Sequence, residues 1–311
     1  MGCAYCSRKE KLTKEHIIPD SLLDIFAECD FTIRGNSYFK ADPIIKDVCF
    51  KCNNEILSKL DNYGSNLIKK YFINEYEPDA RLNIDYDYRL LSRWLLKIAY
   101  NGERSFKRNT ELFKPYLDYI MGSTEENPRI SLFAGLAIDT SPMPEYYHDN
   151  IKLQVITAPK FVGETILEPT DAFETSFRIR KNMNGLNISE LKESFLFRFG
   201  SVIFLLLLWK DNSDLELVNS FEWIIENMYP YKLLNQEERE QTEIKRVTHA
   251  FNIHALVLID TDIGMDFADR CSIGMFQGKD PIDIRKSLSL GWDEHVKEKR
   301  LKALENRKNI K

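Results

Sequence analysis

The apolar positions of this chain predict an N-terminal segment without a regular helix. From Cys3 to Asn53 short apolar groups alternate with turn residues and no helical period is sustained, so this segment cannot close a hydrophobic core by itself. After Cys52 the stretch NNEILSKLDNYGSNLIKKYF has apolar residues at steps of three and four. It predicts a helix that begins near Asn53 or Asn54, and Gly64 is a position where that helix could break.

Beyond this helix the pattern predicts a larger part of mixed α and β structure. The stretch NEYEPDARLNIDYDY has no apolar period and contains Pro78, so we interpret it as a hinge between two domains. Helices are predicted at 88–101, 111–121, 222–227, 236–248 and from 292 onward. Strands are predicted at ISLFAGLAI, IKLQVITA, TSFRIRK, SFLFRFGSVIFLLLLW and HALVLID. The predicted fold is therefore α+β, with a small module at 1–75 and a larger domain at 76–311.

Composition and charge are those of a cytoplasmic globular protein. Hydrophobic residues make up 43% of the 311 residues, enough to bury a substantial core. The net charge of −5 argues against a uniformly basic nucleic-acid-binding protein but permits a local basic site. Met1 leads directly into polar residues, and the most apolar run, VIFLLLLW, is about ten residues too short for a membrane span. We therefore expect no export and no membrane partner.

Four of the six cysteines form two matched pairs. They are Cys3-x2-Cys6 and Cys49-x2-Cys52. Each pair presents two thiolates from one tight turn, and two such turns complete the tetrahedral shell of a structural Zn²⁺. Because cytoplasmic cysteines more often hold metal than form disulfides, zinc is favoured over four ordinary cysteines. Four thiolates leave no open coordination position, so this ion is expected to hold the fold and do no chemistry.

The residues around these pairs resemble a known family. EHIIPDSL lies between the two pairs and VCFKCNN contains the second pair. In this order, CxxC, EHIIPxSL and VCxxCNN resemble the zinc-stapled HNH endonucleases over about residues 1–73, less than a quarter of the chain. The resemblance implies a ββα-metal module in a treble-clef-like frame that hydrolyses phosphodiester bonds. The expected partner is double-stranded DNA, although nothing in the sequence decides between DNA and RNA.

The resemblance also implies a catalytic set of His16, Glu15 and Asn53. His16 stands where the family has its general base, a role for which imidazole is chemically suited. Glu15 falls where an acidic metal ligand lies, and the amide oxygen of Asn53 is expected to bind Mg²⁺ or Mn²⁺. Because neighbouring side chains on a strand point to opposite faces, Glu15 and His16 need a twist or bulge to face one site.

Other positions near this set have more than one interpretation. Asn54 is the adjacent alternative to Asn53 as a cation ligand, and either asparagine is equally suited to cap the helix. Asp61 is either a further ligand, a group behind the ligands, or a solvated helical carboxylate. Several basic residues are either phosphate contacts or solvated charges: Arg8, Lys9, Lys11, Lys14, Lys69 and Lys70.

One position departs from the family pattern. The family's middle asparagine, which braces the hairpin shortly before the second cysteine pair, has no match in KADPIIKDV. This segment offers Asp42 and Asp47 instead, and Asp47 is the better placed to replace the bracing hydrogen bond.

The part after residue 75 contains no catalytic motif. His148, His249, His254 and His295 lack metal-site spacing, and Cys29 and Cys271 are interpreted as free thiols. By analogy with domains appended to HNH modules in bacterial restriction and anti-phage systems, 76–311 is expected to sense, recruit a protein partner or form a homo-oligomer. The alternative function for the whole chain is a non-catalytic zinc-dependent module that binds nucleic acid or protein.

Overall fold

The computed structural model describes residues 2–26, 32–34, 37–39, 44–77, 79–105, 110–137, 152–157, 190–228, 231–235 and 241–247. Several expectations lie outside these residues. They are the strands TSFRIRK and HALVLID, the C-terminal helix, Asp42, Cys29, Cys271 and the four histidines after residue 75.

The chain begins with a hairpin followed by a helix. Strand β1, Leu12–His16, pairs in antiparallel fashion with a later strand, Ile44–Cys49, which is β4 in chain order. Between them lies the short helix α1, Asp20–Ile25. A π-helical segment, Lys51–Leu57, follows β4 directly and runs into helix α2, Ser58–Tyr71. Helix α2 and the segment before it confirm the helix that the apolar period predicts after Cys52, whereas α1 was not predicted.

Helix α2 is continuous through Gly64, so the break considered at that position does not occur. The glycine serves a packing purpose instead. A Cβ built on Gly64 would lie 2.2 Å from the Trp94 ring, which means that only glycine allows this close approach. Trp94 lies on α3, Tyr88–Ser105, and is fully buried. Trp94 is therefore a packing residue of the core.

Helix α3 confirms the helix predicted at 88–101 and extends it by one turn. The helix predicted at 111–121 is present in two pieces. A 3-10 helix, Glu111–Tyr116, contains Pro115 and passes into α4, Leu117–Met121. Proline cannot donate the backbone hydrogen bond of an α-helix interior, which explains why the first piece is not α-helical.

The main sheet has seven strands in the described part of the chain. They are β2 (Thr32–Arg34), β3 (Ser37–Phe39), β6 (Ile130–Leu136), β7 (Leu153–Thr157), β8 (Leu191–Phe199), β9 (Val202–Trp209) and β10 (Lys232–Leu233). Their order is β10-β6-β9-β8-β7-β2-β3, antiparallel except for the parallel pair of β2 with β7. All eight residues of β9 are buried, so the VIFLLLLW run is an interior strand of this sheet, between β6 and β8.

Two further elements complete the described fold. Helix α5, Leu215–Met228, packs through Val218 and Ile225 against one face of the sheet. Strand β5, Arg81–Ile84, pairs with β11, Thr242–Lys245, in a small separate sheet. The helix predicted at 236–248 is therefore wrong for 242–245. Thr242 and Ile244 are buried while their neighbours are exposed, a period of two that places this segment in a strand.

The described core is continuous across the predicted boundary at residue 75. One cluster of buried side chains includes Cys3 and Leu22 from the N-terminal module, Leu95 from α3, and Phe199 from the main sheet. The segment predicted to be a hinge contains β5, which pairs with β11. The connection between the two predicted domains is therefore not an unstructured linker. The α+β class holds, and the N-terminal module is built against the elements that follow it. Among the described residues, no helix has the length and apolarity that crossing a membrane requires.

Candidate functional site

The four paired cysteines come together as predicted. Their sulfur atoms all lie within 4.8 Å of one another, and Cys6 Sγ is 3.7 Å from Cys49 Sγ. A tetrahedral zinc ion with Zn–S bonds of about 2.3 Å requires sulfur atoms about 3.8 Å apart, so the cluster has the right size. Cys3, Cys49 and Cys52 are buried. These residues therefore fit a structural metal ion such as zinc.

Backbone groups shape the cluster before any ion is considered. The Cys49 N–H donates to Cys3 Sγ at 3.3 Å, and Ser7 adopts a left-handed φ of 60° to close the first turn. Burial alone would raise the pKa of Cys3. Hydrogen bonds from backbone N–H groups, led by that of Cys49, outweigh burial and lower this pKa to about 7. Burial and the neighbouring sulfur atoms raise the pKa of Cys52. Four thiols at this separation cannot all ionise without a cation, which is the charge that a bound Zn²⁺ supplies.

The hairpin contains a bulge, but the bulge lies on β4 and not at the Glu15–His16 pair. Thr13 pairs with Val48 and Glu15 pairs with Ile45, so β4 has one more residue than β1 in this interval. Glu15 and His16 pair in regular register with Ile45 and Ile44, so the bulge does not turn these two side chains to one face. Their environments differ accordingly. Glu15 is only 3% exposed, whereas His16 is half-buried at the end of the strand.

His16, at the end of β1, is partly exposed. Its backbone carbonyl accepts a hydrogen bond from Asn101 Nδ2 at 3.2 Å, which fixes the end of β1. Among the described residues its imidazole has no hydrogen bond or ion pair, and the side chain is partly exposed.

Glu15 is held by a lysine that sequence analysis missed. Lys97 is fully buried on α3, and its Nζ lies 2.6 Å from Glu15 Oε1. Asn101 Nδ2 donates to the same oxygen at 3.0 Å. Glu15 therefore faces an ammonium group rather than open solvent, and its carboxylate is already neutralised.

Asp61 belongs to the same network. Lys97 Nζ lies 2.7 and 2.8 Å from the two Asp61 carboxylate oxygens, so one ammonium bridges Glu15 on β1 and Asp61 on α2. Burial alone lowers the pKa of Lys97, but the carboxylates of Asp61 and then Glu15 more than offset this and hold it above its usual value. Of the alternatives for Asp61, the solvated carboxylate is wrong; the side chain anchors a buried ion-pair network.

Asn53 ties the π-helical segment to the hairpin. Its Nδ2 donates to Lys14 O at 2.7 Å and to Thr13 Oγ1 at 3.0 Å, next to the bulge. Both bonds use the amide nitrogen, so the amide oxygen takes no part in this brace. Asn54 is exposed and donates to Phe50 O at 3.2 Å, one turn back along its own helix. Neither side chain caps the helix, which begins without a side-chain capping bond.

The brace expected from a middle asparagine comes instead from α3. Asn101 donates to both Glu15 and the His16 carbonyl and accepts from Tyr5 Oη at 2.7 Å. Asp47, proposed as a substitute, binds Arg104 Nη1 at 2.9 Å. Arg104 also donates to Asn101. The hairpin is thus braced across about 85 positions of sequence, and Asp47 contributes through Arg104.

The sequence contained one signal for the bracing residues of α3, which is a polar stripe along an otherwise apolar helix. Lys97, Asn101 and Arg104 recur at steps of four and three, so they lie on one face of the helix. Charged residues are seldom fully buried without a partner. Because the rest of α3 is largely apolar, these three polar residues could have been predicted to face buried acidic groups. The sequence does not say which acidic groups those are.

The carboxylates proposed to bind a catalytic divalent cation do not fit that role as they stand. Mg²⁺ and Mn²⁺ sites need at least one carboxylate free to coordinate. Glu15 and Asp61 both contact Lys97, whose ammonium occupies the position between them. The groups that remain next to the hairpin, His16 and Asn53, are neutral ligands.

In comparisons with known proteins, the chain matches no protein-family model, no curated protein and no solved structure. The HNH interpretation therefore depends on the motif residues and on the geometry of the hairpin.

Proposed function

We propose that the N-terminal module is an HNH-type nuclease centre in which His16 activates water for phosphodiester hydrolysis. The observation that carries this proposal is the braced, bulged hairpin with a half-buried imidazole at its end. Asn101 fixes the backbone of His16, and Asn53 fixes the neighbouring Lys14 carbonyl. These hydrogen bonds position the backbone that carries the imidazole, so this part of the hairpin needs little reorganisation when a substrate arrives.

The roles of the other predicted residues follow from their contacts. Glu15 positions the hairpin through Lys97 instead of binding the catalytic cation, and Asn53 acts as a brace whose amide oxygen remains for a ligand. The cysteine cluster holds a structural zinc ion that joins the turn before β1 to the end of β4. We propose double-stranded DNA as the substrate and a bacterial defence setting, with 76–311 supplying sensing, recruitment or self-association.

A plasmid-nicking assay tests the proposal most directly. Purified protein is incubated with supercoiled plasmid in Mg²⁺, Mn²⁺ or EDTA, and the His16→Ala variant is compared with wild type. We expect the substitution to abolish nicking, because a positioned base contributes about 10²–10⁴-fold in rate. Added imidazole should restore part of the activity to the variant. His148→Ala, the same chemical change at a histidine without an assigned role, is the matched control.

The outcomes separate clearly. Nicking that persists in His16→Ala at an unchanged rate removes His16 as the base. Loss of nicking together with loss of zinc indicates misfolding, so zinc content and the thermal transition are measured on the same preparations. Nicking that is lost equally in His148→Ala assigns the effect to the preparation.

A second function is favoured by the Lys97 network. Glu15 and Asp61 both form an ion pair with Lys97, and Asp47 forms one with Arg104, so each carboxylate of the described hairpin already has a cationic partner. A zinc-stapled module that binds nucleic acid without cutting it needs no carboxylate for a catalytic cation, which agrees with these ion pairs. The absence of nicking by wild type, with measurable binding, would favour this function.

A further inference from the structure

The second cysteine pair presents an aromatic side chain to solvent. Phe50 lies between the zinc-binding candidates Cys49 and Cys52 and is 61% exposed, although both cysteines are buried. A phenylalanine is among the residues most often buried, so its exposure on a turn fixed by metal ligands is unusual. The backbone of this turn is held by the cysteine cluster and by Asn54, which donates to the Phe50 carbonyl.

Basic side chains surround this phenylalanine. Leu12 pairs with Cys49, which places Lys11 across the hairpin end from Phe50. Ala4 N–H donates to Asp47 O at 2.9 Å and Cys49 N–H donates to Cys3 Sγ at 3.3 Å, which brings the first cysteine turn beside the end of β4. We call the following exposed residues the knuckle surface: Arg8, Lys9, Lys11, Phe50 and Lys51. The nearby acidic residues Glu10 and Glu55 leave it with a net positive charge, and the Arg8–Glu10 pair is long at 3.9 Å.

We propose that the knuckle surface binds a single-stranded stretch of nucleic acid, with one base stacked on Phe50 and its phosphates on the flanking cations. Aromatic rings with adjacent lysine and arginine side chains are the recurring means by which proteins hold unpaired strands. A fully paired base has both faces covered by its neighbours and cannot use the ring in this way. A protein partner of acidic character would use the cations, but it would not require an aromatic ring.

The hairpin also fixes the distance between this contact and His16. Leu12 and His16 are at opposite ends of β1, about 13 Å apart at the rise of a strand. This corresponds to about four nucleotides of a stacked strand. This distance rests on the proposed function, because it assumes that the strand held by Phe50 is also the strand that is cut. It predicts that the unpaired base lies about four nucleotides from the cut.

Fluorescence anisotropy on the full-length protein tests the contact. The probes are a labelled 20-nucleotide single strand and the same sequence as a paired duplex, and the background is His16→Ala so that cutting does not interfere. We expect Phe50→Ala to weaken single-strand binding about tenfold and duplex binding less than twofold. Phe50→Trp should keep full affinity and Phe50→Leu should not. Ile73→Ala, which truncates another half-exposed apolar side chain, is the matched control.

The lysines are tested by salt dependence. Lys11→Ala and Lys51→Ala should each reduce the slope of log affinity against log salt by about 0.7 on the single strand. Equal affinity of Phe50→Ala and wild type for the single strand overturns the stacking contact. So does an equal loss on single strand and duplex, because that result would indicate a general structural effect or a phosphate contact alone.

This inference and the proposed nuclease fail in different ways. Nicking by wild type with Phe50-independent binding overturns only the stacking contact. Phe50-dependent single-strand binding without nicking keeps the knuckle surface and overturns the nuclease. Binding of poly-glutamate as tightly as nucleic acid, unchanged by Phe50→Ala, assigns the surface to an acidic protein partner and overturns the inference. Absence of binding to either nucleic-acid probe also overturns it.

Discussion

Removing the Lys97 ammonium should destabilise the protein strongly. In Lys97→Met a side chain of similar length loses its charge, and Glu15 and Asp61 are left facing each other without a cation. Lys97 is fully buried and Glu15 is 3% exposed, so little water can enter to replace the lost charge. The expected effect is therefore that of breaking a buried ion pair, not that of losing a surface salt bridge.

The contacts set the size of the expected effect. The ammonium lies 2.6 Å from Glu15 and 2.7–2.8 Å from the two oxygens of Asp61. Removing one partner of a buried pair costs about 3–5 kcal/mol, since the remaining charges stay desolvated. The triple variant Lys97→Met, Glu15→Gln, Asp61→Asn removes all three charges and keeps an acceptor for Asn101. We expect it to recover at least half of the loss.

Urea unfolding, followed by circular dichroism, measures these differences. Because the pKa of Lys97 is raised, its contribution to stability is complete below the unfolded value of about 10.4 and is lost as the pH rises through the folded value. The stability of wild type relative to the triple variant should accordingly shrink at alkaline pH. A loss below about 1 kcal/mol in Lys97→Met, or a triple variant no more stable than the single one, would refute the buried network.

Two further predictions concern the metal and the core. Cys49→Ser should reduce bound zinc, measured by inductively coupled plasma mass spectrometry, from about one ion per chain to none and should unfold the hairpin; a folded, zinc-free variant would contradict a structural role. Gly64→Ala should destabilise the protein by about 1–3 kcal/mol, because its Cβ would lie 2.2 Å from the Trp94 ring, and a second substitution, Trp94→Phe, should relieve part of that cost. Unchanged urea midpoints in Gly64→Ala would show that α2 and α3 separate without cost.

The N-terminal module was largely predictable from the sequence. Two CxxC pairs at these spacings indicate a common metal, and their sulfur atoms are within 4.8 Å of one another. The period of α2 and α3 was sufficient to place both helices, since long amphipathic segments carry the clearest signal. Strand geometry also predicted a twist or bulge at Glu15 and His16, but the bulge that is present lies on β4 and leaves the pairing of these two residues regular.

Contacts between distant segments could not be predicted from the sequence. The residues at 242–245 lie in a strand because β5, about 160 positions earlier, offers an edge to pair with. Asp61 and Glu15 have the composition of metal ligands, but only the packing of α3 against the hairpin shows that Lys97 lies between them. A carboxylate attracts a lysine and a metal ion by the same electrostatic force, so residue type cannot decide between these partners.

Sequence alone therefore determined local features, whose cause lies within a few residues: the cysteine turns and the long helices α2 and α3. Tertiary structure decided the partner of each buried charge and the brace that replaces the missing asparagine. The physical reason is that a buried charge is stabilised by whichever opposite charge the fold brings within about 3 Å. In this chain that group comes from α3, more than eighty positions away from Glu15 in the sequence.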